Sequence, residues 1–220
     1  MELYDRLLQF TLFQGMSHAD LMEVAGHTKF GFHKLAAGKR IVNEGDDCLQ
    51  LLFLTHGTVR CETRNDGNAY RVEETIKAPY TLQPERLFGL NQRYTTSFKT
   101  LTPCNLFSID KQEVLLLLET QLVFRLNLLN IMATESQRLR HHAWRTAPKS
   151  LRERLVRFFF AHCLYPAGPK TFHILMQQIA DELNDSRLDI SHALNDMQRD
   201  ELLSLHRGRI EIPLLERLLM

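Results

Sequence analysis

The residues with the most legible chemistry lie near the C-terminus, in the stretch 176–205. Ser186, Arg187, Asp189, Ser191 and His192 fall on or beside one side of a segment with a buried-stripe pattern. Its Ile190, Ala193, Leu194 and Met197 follow the i, i+3, i+4, i+7 spacing of a helix with one apolar face. An arginine in that place can donate two hydrogen bonds to a guanine edge, and Ser186 can hold a phosphate. Upstream, Ile179, Ala180 and Leu183 give a first helix its own apolar face, and the small Ala180 permits a close crossing. Between them Asn184-Asp185-Ser186 supplies a residue tolerant of left-handed backbone, then two candidate N-caps. Downstream, LSLHRGRIEI alternates apolar and polar residues about His206-Arg207-Gly208, the pattern of a β-hairpin whose Arg207 and Arg209 can reach phosphates. Together these make a winged helix-turn-helix, which inserts the N-terminal end of its second helix into the major groove of DNA. An antiparallel helix pair with no nucleic-acid role has the same apolar pattern, so both readings stand at this point.

A chain of 220 residues can bury one or two cores, and two domains are the expectation. The hydrophobic share of 44% and charged share of 24% suit a soluble globular protein, and no run of about 18 apolar residues suggests a membrane span. The segment MELYDRLLQF carries charges through its apolar part and is not a signal peptide. Cys48, Cys61, Cys104 and Cys163 are far apart with no C-x-x-C, which points to reduced thiols in the cytoplasm. A net charge of +1 argues against a protein that coats nucleic acid without sequence preference. From Arg145 onward eleven Lys/Arg face ten Asp/Glu, so positive charge must be gathered on one face, with Lys149, Arg152, Arg187, Arg207 and Arg209 available for it.

The elements that must position these residues can be read in order. Leu3, Leu7, Leu8 and Phe10 form a short amphipathic helix, and Ser17 with Asp20 starts a second one over DLMEVAGH. From Thr28 the pattern turns to short strands: TKFGFHKL alternates, LQLLFL is a buried strand, and TVRCETR and YRVEETI flank the hairpin signal Asn65-Asp66-Gly67-Asn68. Many short strands at regular turn spacing describe a sandwich or small barrel. Asp110 is the expected cap of KQEVLLLLETQ, after which LVFRLNLLNIMATESQRLRHHAW stays helical to about Trp144. There Leu122, Leu126, Leu129, Ala133 and Ser136 make one line in heptad-like spacing, and Leu128, Met132 and Leu139 a second. A helix apolar on two sides packs against two things, its own domain and the same helix of a second subunit. One long helix lying along a monomer is the alternative. Arg145-Thr146-Ala147 reads as a hinge and Pro148 as the first turn of the next helix, which carries Leu151, Leu155, Phe158 and Phe159 inward. LYPAGPKT reads as a loop, and Pro213 starts a short closing helix.

Two stretches resemble a known family. LFQGMSHADLMEV, then LAAGKRIVNEGDDCLQLLFLTHGTVR, is similar to the N-terminal half of the cyclic-AMP receptor protein/FNR (Crp/Fnr) family of bacterial regulators. The matching features are the turn at Gly38, the Glu44-Gly45-Asp46 turn, and the buried strand ending at Gly57-Thr58-Val59. The resemblance implies an α+β fold: an N-terminal cyclic-nucleotide-binding-like β-roll (a double-stranded β-helix) over 1–110, connecting and dimerisation helices over 111–145, and a winged helix-turn-helix over 146–220. It implies a homodimer on a near-palindromic double-stranded DNA site, with RNA polymerase as a further partner.

In the family's nucleotide-binding members a G-E pair on a short helix and a downstream R-[ST] hold the ligand. Backbone N–H groups at the helix start take the cyclic phosphate, Glu takes the ribose hydroxyl, and Arg neutralises charge. Here Glu85 matches the ribose-binding Glu, Pro84 stands where the family has Gly, and the R-[ST] position falls near Tyr94-Thr95 with Arg93 one residue early. The implied ligand residues are Glu85, Arg86, Arg93 and Thr95. Proline offers no N–H, which argues against cyclic AMP and for another small effector or none. The alternative is that Glu85, Arg86 and Arg93 are solvated surface charges. The family's Glu after the reading Arg is replaced by Leu188, so its usual half-site does not carry over.

No resident metal is expected: His141-His142 are adjacent on a helix, no H-E-x-x-H or Cys/His zinc spacing occurs, and no cysteine precedes Cys48 to hold an iron–sulfur cluster. Without a P-loop, a G-x-S-x-G or a spaced carboxylate pair, an enzyme is not expected either. Three functions remain in view: an effector-gated regulator, a DNA-binding regulator with a vestigial sensor, and a small-molecule-binding or protein-interaction module without effective DNA binding.

Overall fold

The computed structural model describes residues 3–67, 69–142 and 146–219, with the side chains of Leu3 and of residues 139–142 also outside the description. The helices are α1 (Leu3–Leu7), α2 (His18–His27), α3 (Lys111–Thr120), α4 (Leu122–His142), α5 (Leu151–Ala161), α6 (Met176–Leu183) and α7 (Arg187–Arg199). The strands are β1 (Phe30–Leu35), β2 (Arg40–Val42), β3 (Gln50–His56), β4 (Thr58–Arg64), β5 (Arg71–Lys77), β6 (Tyr80–Leu82), β7 (Ser97–Thr100), β8 (Cys104–Asp110), β9 (Lys170–His173), β10 (Ser204–His206) and β11 (Arg209–Ile212). Short 3-10 turns cover Thr11–Phe13, Pro84–Arg86 and Leu215–Leu219. The chain divides into two compact units: residues 1–59, 77–95 and 99–145, and residues 60–76, 96–98 and 146–220.

In the first unit the sheet order is β1-β8-β3-β6. Leu51, Leu52, Phe53 and Leu54 of β3 are all buried, as expected of a strand covered on both faces. Phe53 and Phe107 stack with ring centroids 4.4 Å apart, and Phe10 meets Phe53 edge-on at 5.1 Å, so the N-terminal segment seals one end of this core. The Ser17 start signal forms a capping box: the Asp20 N–H donates to Ser17 Oγ at 3.2 Å and the Ser17 N–H donates to Asp20 Oδ2 at 3.2 Å. Gly57 has φ +101°, and a Cβ there would lie 2.6 Å from Cys104 Sγ and from the Pro103 carbonyl, so this turn takes only glycine. The alternation expected in TKFGFHKL fails in β1, an edge strand where Gly31 contributes no side chain and Phe32 is 66% exposed.

Asp110 is the residue before α3, yet its side chain makes no capping bond. It is the last residue of β8, paired with Gln50, and the Lys111 N–H donates instead to the Leu49 carbonyl at 3.0 Å. The helical region breaks at Gln121 (φ −113°, ψ 96°) into α3 and α4. On α4, Phe124 and Leu128 are buried in this unit, while Leu122, Leu126 and Leu129 are 57%, 49% and 55% exposed. The two lines read in the sequence therefore meet different surroundings, up to Leu139 and Trp144, which lie outside the described side chains. Among the described residues no single helix is long and apolar enough to cross a membrane.

In the second unit the sheet runs β10-β11-β9-β5-β4. Residues 60–76, which the sequence places within 1–110, pack here. Val72 pairs with Phe172 across β5 and β9, and both join a core with Leu155, Phe159, Ile179, Ile190, Leu194 and Met197. β9 was not expected: the loop through LYPAGP gives way to strand at Lys170. The Lys170 and Glu74 side chains are 0% and 1% exposed and form an ion pair at 2.8 Å. Glu74 also accepts from the Leu164 and Tyr165 N–H groups at 2.7 and 3.2 Å, and Lys170 Nζ donates to the Ala167 carbonyl at 2.9 Å. Removing either partner of such a buried, hydrogen-bonded pair leaves the other charge uncompensated. α5 starts at Leu151, three residues beyond the expected Pro148, because Ser150 is its cap, the hydroxyl accepting from the Glu153 N–H at 3.2 Å.

Candidate functional site

The α6–α7 corner is built by local chemistry. Asn184 is left-handed (φ 49°, ψ 56°), and the Asp185 N–H donates to the Ala180 carbonyl at 3.0 Å, closing α6 with a Schellman-type turn. Arg154 of α5 donates to the Leu183 carbonyl at 3.0 Å and pairs with Asp185, so one guanidinium fixes the corner. Sequence reasoning missed Arg154, because nothing local marks a residue that acts on a turn about thirty positions away. α7 then begins under a Ser186 cap: the Asp189 N–H donates to Ser186 Oγ at 3.0 Å, the Ser186 hydroxyl donates to Asp189 Oδ2 at 2.6 Å, and the Ser186 N–H donates to Asp185 Oδ1 at 2.8 Å.

With Ile190, Leu194 and Met197 fully buried, the opposite side of α7 presents Leu188, His192, Asn195 and Arg199 at i, i+4, i+7 and i+11, all exposed. Arg187 is exposed at the first helical position with no ion pair among the described residues. Ser191 is half-buried, and its carbonyl accepts from Asn195 Nδ2 at 2.7 Å. Ser186 and Asp189 hold the cap and each other. At the hairpin, Arg209 Nε lies 3.1 Å from Glu211 and His206 Nε2 3.4 Å from the same carboxylate, whereas Arg207 has no ion pair among the described residues. Arg152 is paired with Asp200 at 2.6 Å. Of the basic residues considered for a phosphate-facing surface, Lys149, Arg187 and Arg207 are exposed and form no ion pair among the described residues, whereas Arg152 and Arg209 are paired.

The first unit treats its polar groups differently. Gln83 is 3% exposed and left-handed (φ 37°, ψ 58°), immediately before the Pro84–Arg86 turn. Its amide closes a two-way bond with Thr95: Nε2 donates to Thr95 Oγ1 at 2.7 Å, and the Thr95 N–H donates to Gln83 Oε1 at 3.1 Å. Tyr94 turns inward at 3% exposure, with its hydroxyl 3.4 Å from the Gln50 carbonyl, and burial holds both its phenol and the neighbouring Cys48 thiol in the protonated form. Burial also raises the Glu85 carboxyl above its usual range, against the pull of its own backbone N–H and of Arg86, whose Nε is 3.8 Å away. Arg93 lies elsewhere, donating to the Gly45 carbonyl at 2.9 Å and pairing with Asp47 at 3.4 Å on the surface turn. The structure thus gathers Glu85 and Arg86 on one turn, binds Thr95 to Gln83, and directs Arg93 outward. Gln83 carries no local sequence signal, and Tyr94, which stands at the R-[ST] position, is buried in place of the family's arginine.

The four cysteines are free and buried, and desolvation raises the thiols of Cys61 and Cys163 as well as Cys48. No group of three or more His, Cys, Asp or Glu among the described residues is arranged to hold a metal ion, and the His141 and His142 side chains lie outside that description.

Comparison with known proteins agrees with this architecture. Residues 32–121 match the family model of the cyclic nucleotide-binding domain. The catabolite activator protein of Thermus thermophilus is similar in structure with a TM-score of 0.53 at 18% identity, covering 95% of this chain and 96% of that one. The N-terminal domain of a transcriptional regulator from Streptomyces coelicolor A3(2) gives 0.52 at 18% identity, over 66% of this chain and 100% of that one. No curated protein matches in sequence. Residues 32–121 are thus similar to a cyclic nucleotide-binding domain, and the chain shares the overall fold of the Thermus thermophilus catabolite activator protein.

Proposed function

We propose that this protein is a sequence-specific DNA-binding transcriptional regulator that acts as a homodimer, with residues 146–220 as a winged helix-turn-helix. The observation that carries the reading is the start of α7, where Arg187 stands exposed and unpaired on a capped helix whose apolar side is fully buried. The N-terminal end of α7 enters the major groove, Arg187 donates to a guanine, and Arg207 of the hairpin reaches a phosphate. The exposed Leu122, Leu126 and Leu129 of α4 support pairing of two subunits along residues 111–145, which sets two half-sites about one helical turn apart. A Leu126→Asp variant is expected to sediment as a monomer. An unchanged dimer mass contradicts that assignment.

Cyclic AMP is not the switch on this reading, because the Gln83 amide oxygen already takes the Thr95 N–H and Pro84 has no N–H to give. Control falls to a different small effector or to none. The protein works by binding rather than catalysis, in the cytoplasm, with RNA polymerase as its further partner. The near-balanced charge of the C-terminal part, with Arg152, Arg154 and Arg209 paired internally, favours one rival reading, a protein-interaction module of the same fold. Selection of duplexes from a random library with purified protein, at stated salt, with and without cyclic AMP, separates these. An enriched palindrome recovered equally in both conditions is the expected result, and no enrichment favours the interaction module.

A further inference from the structure

Leu188 is 67% exposed on the first turn of α7, and it is neither in the core of its unit nor among the partly buried side chains packed against that core. It stands between Arg187 and Asp189, on the stripe shared with His192, Asn195 and Arg199. We propose that Leu188 is a base-reading residue that selects a thymine, through its 5-methyl group, beside the guanine contacted by Arg187.

The proposal rests on the DNA reading above and deepens it. In the major groove guanine shows two acceptors, adenine an acceptor and a donor, cytosine a donor, and thymine an acceptor with a methyl group. A leucine side chain has no hydrogen-bonding atom, so the thymine methyl is the one edge feature it can cover favourably. Over cytosine it would strip water from the N4 amino group and return no acceptor, which is unfavourable. The N-terminal residues of a reading helix are the ones that meet base edges, and Leu188 is the second residue of α7. Its exposure also means that truncation leaves the fold intact, which makes the test clean.

The test uses the enriched duplex and replaces its thymines by deoxyuridine one position at a time, symmetrically in both half-sites. This removes only the methyl group. Wild-type protein is expected to lose about three- to tenfold in affinity at one thymine position per half-site, next to the guanine whose substitution is suppressed in Arg187→Ala. Leu188→Ala is expected to bind thymine and uracil duplexes equally, and Leu188→Glu to move the preference at that position to cytosine. Uniform tolerance of uracil by the wild type, or a methyl effect that persists in Leu188→Ala, overturns the assignment while leaving specific DNA binding in place. Failure of the wild type to enrich any duplex overturns the DNA reading and this proposal with it.

Discussion

Two helix starts in this chain present the same raw material, a short run of backbone N–H groups with nearby serine, threonine, glutamine or arginine side chains. At the Pro84–Arg86 turn the polar groups face inward: Gln83 binds Thr95, Tyr94 is buried, and Glu85 is desolvated. At α7 the cap is also closed, by Ser186 and Asp189, but Arg187 projects from it unpaired and Leu188 is left in solvent. A helix start attracts anions, and whether it serves a ligand or its own fold depends on what occupies the N–H groups and which charges remain outside. On that criterion the recognising surface we propose is α7, while the Pro84–Arg86 turn is held by its own side chains.

The contrast can be broken by substitution, since inward groups should affect stability and outward groups should affect binding. The largest effect is expected at the buried pair. Lys170→Ala leaves the Glu74 carboxylate without its partner and should cost about 3–5 kcal/mol of unfolding free energy in denaturant titration. A loss below about 1 kcal/mol would show that water or another cation reaches Glu74. Next, Arg187→Ala should cost about 1–3 kcal/mol of affinity on the enriched site while unfolding within about 0.5 kcal/mol of wild type. Gln83→Ala should cost about 1 kcal/mol of stability and open the Thr95 N–H and hydroxyl to an anion, read by calorimetry with cyclic AMP. Heat of binding already present in the wild type would show that the Gln83–Thr95 closure does not bar the nucleotide.

The smallest effect is at Glu85. Its carboxyl is raised by burial, so the folded state holds its proton to higher pH than the unfolded state does. Stability from this group is therefore lost as pH rises from the ordinary glutamate range through the raised value. Glu85→Gln removes that loss. The variant should match wild type below about pH 4 and be slightly more stable at pH 7, and a lower melting midpoint at pH 7 would contradict the assignment.

What could be read from the sequence was what local chemistry decides. The Ser17 and Ser186 caps, the left-handed Asn184, the hairpin about Arg207-Gly208 and the exposed leucine line on α4 all follow from residues within a turn or two of one another. The misses share a non-local cause. β9 was taken for loop because a lysine after two prolines does not resemble a strand, and its place depends on Glu74, whose position is 96 residues earlier in the chain (170 − 74). Asp110 does not cap α3 with its side chain because it belongs to β8. Gln83 closes on Thr95 across 12 residues, and no spacing rule marks such a side-chain pair. The broad fold and the face of α7 were therefore legible, while the closure of the roll was not.

The most direct test of the account is methylation interference on the enriched duplex, with guanines carrying a methyl group at N7, the major-groove atom that Arg187 is assigned to contact. The account predicts one guanine per half-site whose methylation blocks wild-type binding, with that block greatly weakened in Arg187→Ala. Binding indifferent to N7 methylation at every guanine, or an interference pattern identical in the two proteins, would contradict it.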